Sequence, residues 1–235
     1  MKLVKKIFID GSIKAETGLR IGGNKSSLEI GGVDINIIKS ASGEPYIPGS
    51  SLKGKMRTLL GAKLHGRLTA DNDTDAVKQL FGNSGDKGGG NYTRLIVRDS
   101  PIDKIAFANN FPDAGKRDFD YSEIKTENRI DRSSGKAEHP RQIERVPAGT
   151  RFNFSLLLDI YENDNPATFL KMIADAFELL QLDYLGGHGT RGSGKVSITI
   201  SSISGKSISA EEGIRTLDKV EGADILASFM IPTTA

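Results

Sequence analysis

With 235 residues, 26% of them charged and 37% hydrophobic, the chain has the composition of a globular protein that can bury a substantial core. It has no cysteine and only His65, His139 and His188 as histidines. That excludes disulfides and thiolate metal sites, argues against a histidine-rich metal site and fits a reducing cytoplasm. No signal-peptide apolar region opens the chain and no apolar run reaches membrane-spanning length, so the expectation is a cytoplasmic protein without membrane contact. The net charge of +2 conceals an asymmetry: residues 1–67 balance to +7 and the remainder to −5. A basic N-terminal third points to an anionic partner.

In chain order, residues 2–14 read as a strand with Ile7 and Ile9 on one face. Glycine-rich turns follow at 16–23 and 31–34, then a short β-type run from Ile35 to Ile38. At Pro48-Gly49 the chain turns into a helix running to about Gly66, with Ser50 or Ser51 as N-cap and Leu52, Met56, Leu59, Leu60 and Leu64 at helical spacing. A short helix spans Asp73 to Phe81, stopped by Gly82. Residues 83–90 read as flexible and low in complexity, and a strand as running from Tyr92 to Val97. Residues 103–121 show no sustained period and read as irregular. Glu123 to Arg145 reads as a protruding hairpin or long loop. Phe152, Phe154, Leu156, Leu158 and Ile160 alternate as a half-buried strand, and Asn165-Pro166 opens a helix with Asn as cap and Pro at its first position. A glycine loop, 186–194, ends that helix. A strand follows from Lys195 to Ser202, and the tail carries a helix around Ala210 to Val220. The order predicts an α+β fold: a modified ferredoxin-like or RRM-like core, with an antiparallel sheet and helices on one face. It reads as one domain over 1–235, with insertions at about 16–45, 82–121 and 123–147.

Two stretches carry chemistry. A helix start offers unpaired N–H groups and the positive end of the dipole. Ser50, Ser51, Lys53, Lys55 and Arg57 add hydroxyls and cations there, off the apolar stripe, which suits a phosphate. The second is the glycine loop. Gly189 to Lys195 matches the spacing of a nucleotide-binding P-loop, but Val196 stands where a magnesium-binding hydroxyl is required, and the helix–loop–strand order is reversed. The loop is better suited to letting a nucleic-acid backbone approach closely, beside Arg191.

The run from Ile47 to Gly54 (IPGSSLKG) and Gly187-x-Gly189-x-Arg191-Gly192-x-Gly194 resemble the RAMP superfamily of CRISPR RNA-binding proteins. The chain is more closely similar to the repeated backbone subunit of the type III-A (Csm) effector complex. Further support comes from Glu16 to Leu19 with Ile21 to Gly23, from Thr126 to Arg132, and from Glu144 to Gly149. The resemblance spans about 3–203. It implies an RRM-like core with a lid and a thumb hairpin, and copies stacked in a filament along a CRISPR RNA beside other effector subunits. It also implies a thumb wedged into the guide–target duplex and an Asp in a glycine-rich loop that cleaves the target RNA with a divalent cation, taken as Mg2+. That Asp matches Asp34. Ser50, Ser51, Lys53, Lys55 and Arg57, with Gly187, Gly189, Thr190 and Arg191, would grip the guide backbone, and Arg129 and Arg132 would lie on the thumb. Without cysteine, the structural zinc of some relatives is not expected.

A carboxylate such as Asp34 can hold a metal at the scissile phosphate or help deprotonate the attacking 2′-hydroxyl. Two other readings compete: a purely architectural RNA-binding subunit in which Asp34 is a turn residue, and a stand-alone nuclease centred on His188. The chain has no Trp and its strands lack an RRM-type aromatic pair. Sugar–phosphate contacts are therefore expected rather than base reading, with sequence choice left to guide–target pairing.

Overall fold

The structure is a computed structural model that describes residues 1–23, 36–65, 73–82, 93–113 and 120–231. In chain order its first elements are β1 (Leu3–Ala15), β2 (Tyr46–Ile47), α1 (Gly49–His65), α2 (Asp75–Phe81), β3 (Leu95–Val97), β4 (Ser100–Pro101) and α3 (Lys104–Asn110). There follow β5 (Glu123–Ile130), β6 (Ala137–Arg145), β7 (Arg151–Tyr161), α4 (Pro166–Leu182), β8 (Val196–Ser209) and β9 (Gly213–Thr216). The main sheet has five strands in the order β3-β7-β1-β8-β9, all antiparallel. With α1 between β1 and β3, and α4 between β7 and β8, this is the expected ferredoxin-like arrangement, extended at one edge by β9.

Period-two alternation builds the sheet. Ile7 and Ile9 face Leu158 and Leu156 across the β1–β7 ladder, and Ile13 faces Ile198 across β1–β8; all are buried. The helices cover this face. Leu52, Met56 and Leu60 of α1 are buried, whereas Leu64 is 48% exposed because the stripe turns outward in the last turn. On α4, Asn165 accepts from the Ala167 N–H at 3.0 Å, Pro166 takes the first position, and Phe169 to Leu180 supply the buried stripe. Ion pairs Lys55–Asp183 and Lys63–Asp175, both 2.8 Å, tie α1 and α4 together antiparallel. The rings of Phe154, Phe177 and Phe229 stack edge to face through this layer, each pair 5.6 Å apart.

Four expectations are corrected. Neither Ser50 nor Ser51 is the cap of α1: the helix already begins at Gly49, the Pro48 carbonyl accepts from the Leu52 N–H at 3.1 Å, and the Asp99 carboxylate accepts from the Gly49 N–H at 2.7 Å. A cap supplied from fifty residues away leaves no local signature. Gly49 is required there because a Cβ would lie 2.2 Å from the Val97 carbonyl oxygen. Second, the segment read as irregular holds α3, capped by Asp103, whose carboxylate accepts from the Ala106 N–H at 3.0 Å. Its two turns bury only Phe107, so no stripe could show. Third, the strand expected over 92–97 is β3, beginning at Leu95. Fourth, the tail helix is absent: the segment forms β9, then a 3₁₀ turn Ala223–Phe229 that buries Leu226 and Phe229. The segment 83–90 lies outside the described residues. Among the described residues no helix is long and apolar enough to cross a membrane.

Candidate nucleic-acid interface

At the start of α1, Ser50 is exposed and Ser51 half-buried. The cations beyond them have partners inside the fold. Lys53 Nζ donates to the Leu95 carbonyl at 2.7 Å and to Thr93 Oγ1 at 3.1 Å, and burial, aided by the Arg57 charge, pulls its pKa down. Arg57 Nε donates to the buried Asp73 carboxylate at 2.7 Å. Lys55 pairs with Asp183 and lies over the Tyr184 ring, 4.0 Å from its centroid.

Tyr184 joins this helix to the glycine loop. A Cβ on Gly189 would lie 2.0 Å from the Tyr184 Cγ, so only glycine lets the loop lie against the ring. Gly189–Arg191 is one 3₁₀ turn, entered through His188 in the left-handed region at φ 62°. The Gly187 N–H donates to the Arg20 carbonyl at 2.8 Å, and the Gly194 N–H to the Gly18 carbonyl at 3.0 Å. Thr190 is exposed and opens on a cleft of ≈ 530 Å³ lined by Thr17, Asp183, Tyr184 and Lys195 among others.

On its other side the loop meets β5 and β6, which form the expected hairpin. Lys125 Nζ donates to the Arg191 carbonyl at 3.1 Å and to Glu127 Oε1 at 2.8 Å. Glu127 Oε2 lies 3.8 Å from both Arg191 Nη1 and His188 Nδ1. Lys125, Glu127, Asn128, Arg129, Arg141 and Arg191 line a cleft of ≈ 500 Å³. Arg129 is exposed at this cleft, and Arg132 is exposed beyond it in the turn. In the hairpin turn the Ser133 hydroxyl and the backbone N–H groups of Ser133 and Ser134 hydrogen-bond to Asp131, which pushes its pKa down to about 2. The hairpin root is bound to the residues after β1: Leu19 and Val146 exchange backbone hydrogen bonds, 3.0 and 2.9 Å. Stretches far apart in sequence (16–19, 123–129, 144–149 and 186–194) thus meet at the C-terminal end of β1.

A family model described as the RAMP superfamily matches residues 12–197. The chain belongs to the RAMP superfamily. It is 41% identical, over 94% of its length and 98% of the relative's, to a "CRISPR system Cms endoribonuclease Csm3" of Streptococcus thermophilus. Proteins of the same name from Methanocaldococcus jannaschii (40% identity; 83% of this chain, 79% of the relative) and Mycobacterium tuberculosis (36%; 83% and 86%) also match. Among solved structures, a chain of a Csm3-Csm4 subcomplex of the type III-A CRISPR-Cas interference complex aligns with a TM-score of 0.56 at 27% identity, covering 97% of this chain and 96% of that one.

In this RAMP chain Asp34 lies outside the described residues. The residues on either side of the undescribed stretch pair with each other. The Gly23 N–H donates to the Asn36 carbonyl at 3.2 Å, and the Ile38 N–H to the Ile21 carbonyl at 2.9 Å. Sequence reading missed Glu144, which holds the chain at Ile37 and Lys39. It is 3% exposed, pairs with Lys39, and accepts from the Ile37 N–H at 3.1 Å and the Ser122 hydroxyl at 2.6 Å. Burial pushes its pKa up, but the bonds from Lys39, Ser122 and Ile37 outweigh it and hold the carboxyl below its ordinary value. Within the stretch 144–149 nothing local distinguishes Glu144 from a solvated acid; its partners come from two other segments, around 37–39 and at Ser122. His188 is half-buried: burial, then the Arg20 charge, lowers its pKa, and among the described residues its buried Nδ1 has no hydrogen-bond partner.

Proposed function

We propose that the chain is the RNA-binding backbone subunit of a type III-A CRISPR effector, holding a CRISPR RNA and cleaving the target RNA paired to it. The observation that carries this reading is the convergence of the α1 start, the glycine loop and the hairpin root at one end of the sheet, where cations and close-approach glycines adjoin residues 20–23 and 36–39. The relatives' printed name supports the reaction class, and the Csm3-Csm4 subcomplex supports an assembly with other subunits; further copies of the chain stacked along the guide belong to the same reading.

Ser50, Ser51, Lys55 and Arg57 follow the guide backbone on one side of Tyr184, and Gly187, Gly189, Thr190 and Arg191 on the other. The ion pairs of Lys55 and Arg57 hold these cations in place for a phosphate. Lys53 supports the same surface from within. Arg129 and Arg132 reach the guide–target duplex from the thumb.

Asp34 is the catalytic residue in this reading. RNA cleavage by its own 2′-hydroxyl forms a 2′,3′-cyclic phosphate: the hydroxyl gives up its proton, which a carboxylate beside it can take, as its oxygen bonds to the neighbouring phosphorus, and the bond from phosphorus to the 5′-oxygen breaks, that oxygen leaving with a proton from water. A divalent cation, Mg2+ for an oxygen donor, would supply charge at the phosphate oxygens when bound. Among the described residues no group of three or more His, Asp or Glu converges as a metal site. Asp34 is therefore the one protein ligand this reading names.

The test is target cleavage and target binding by the complex assembled with guide RNA, for Asp34→Ala and His188→Ala, each with and without EDTA. Asp34→Ala is expected to abolish cleavage and keep binding, His188→Ala to cleave normally, and EDTA to stop wild-type cleavage reversibly. Undiminished cleavage by Asp34→Ala overturns the assignment.

A further inference from the structure

Glu127 is a carboxylate set among cations on a surface read as one for phosphates. Arg141 faces it directly across the β5–β6 ladder, and Lys125 and Arg129 line the same cleft from its own strand. Arg191 and His188 reach toward it from the glycine loop. Its two oxygens are used unequally. Oε1 accepts from Lys125 at 2.8 Å, whereas Arg191 Nη1 and His188 Nδ1 both lie 3.8 Å from Oε2, within ion-pair range but too far for a hydrogen bond. Among the described residues the buried Nδ1 of His188 has no hydrogen-bond partner. The cations are gathered, and Arg191 is held only at ion-pair distance.

We propose that Glu127 occupies, in the RNA-free chain, the position of an RNA phosphate, and that Lys125, Arg129, Arg141 and Arg191 around it form a phosphodiester-binding site at the root of the hairpin. The inference rests on the reading of the chain as an RNA-binding subunit and adds a site to it. A carboxylate and a phosphodiester each carry one negative charge on a pair of acceptor oxygens, and a guanidinium fork fits both. Glu127 keeps the cations from repelling one another while no RNA is present, and the entering phosphate displaces it. It is an internal competitor: it orders the site and weakens the site's grip.

The test measures binding of the full chain to a fluorescent single-stranded RNA of defined length, across a salt series. Arg141→Ala is expected to weaken binding about 5- to 10-fold near 0.1 M salt and to lower the slope of log K against log salt by about one. Glu127→Gln is expected to tighten binding about threefold or more, because it keeps the side chain's shape and removes the competing charge. Arg215→Ala, on the edge strand β9, controls for net charge and is expected to leave the slope unchanged. Weaker binding by Glu127→Gln, or an Arg141→Ala variant indistinguishable from Arg215→Ala, overturns the site while leaving the RNA-binding reading intact. A wild-type chain that binds no RNA overturns that reading itself.

Discussion

Lys53 shows how a side chain's partners decide its role. Placed by sequence among guide-gripping cations, it donates instead to the Leu95 carbonyl and Thr93, joining α1 to β3. Lys53→Ala is therefore expected to lower unfolding free energy by about 1–2 kcal/mol, read by denaturant melts, and to leave the salt slope of RNA binding unchanged. A slope reduced by about one would instead make it a phosphate contact. Gly189 works the other way, since what matters is the atom it lacks. Gly189→Ala places a Cβ 2.0 Å from the Tyr184 Cγ, and the loop must leave the ring. RNA affinity is expected to fall about tenfold, the effect of losing about 1.4 kcal/mol, with the melting transition little moved. Gly192, whose Cβ position is open but whose φ is 84°, gives a comparison in which only backbone strain operates.

At the scale of elements, the hairpin is an arm whose root is fixed and whose far end is exposed. Its root is held by Glu144, which draws Ser122, Lys39 and the Ile37 N–H onto one buried carboxylate. Because the folded-state pKa of Glu144 is depressed, its stabilisation is fully present above the ordinary carboxylate range and is lost as pH falls through the folded value. Wild type is therefore expected to be more stable than Glu144→Gln at neutral pH. The gap in melting temperature should narrow on acidification below about pH 4. A gap independent of pH would mean that shape rather than charge holds the joint. The hairpin was legible in sequence because polar β-type runs flank the turn residues Ser133 to Lys136. The helix α3 was not, because two turns with one buried side chain give no period to read.

Across the whole molecule, the proposed RNA site and a buried ion pair sit at opposite ends of β1. At the end near Met1, Arg94 is 3% exposed, donates through Nε and Nη2 to the Asp164 carboxylate at 2.9 and 3.1 Å, and lies over the Tyr161 ring. Arg94→Ala is expected to cost about 3–5 kcal/mol, because it leaves a buried carboxylate uncompensated. Guide RNA affinity, measured where the variant is still folded, should be unchanged. Reduced affinity in the folded variant would mean that the two ends are coupled through the sheet.

The sequence by itself determined the long strands, both long helices, the hairpin and the glycine loop, because each follows from local periodicity, a local cap or a breaker. It also singled out, through short motifs, the stretches that lie together at the C-terminal end of β1. Tertiary structure alone decided which cations are free. Asp73, Asp183 and the Leu95 carbonyl come from elsewhere in the chain to meet Arg57, Lys55 and Lys53. It likewise placed Asp99 at the start of α1, Glu144 against Ile37 and Lys39, and Glu127 among cations from two strands and a loop. The physical reason is the same in each case: a charged side chain acts through what lies within a few ångströms of it, and those neighbours are far away in sequence.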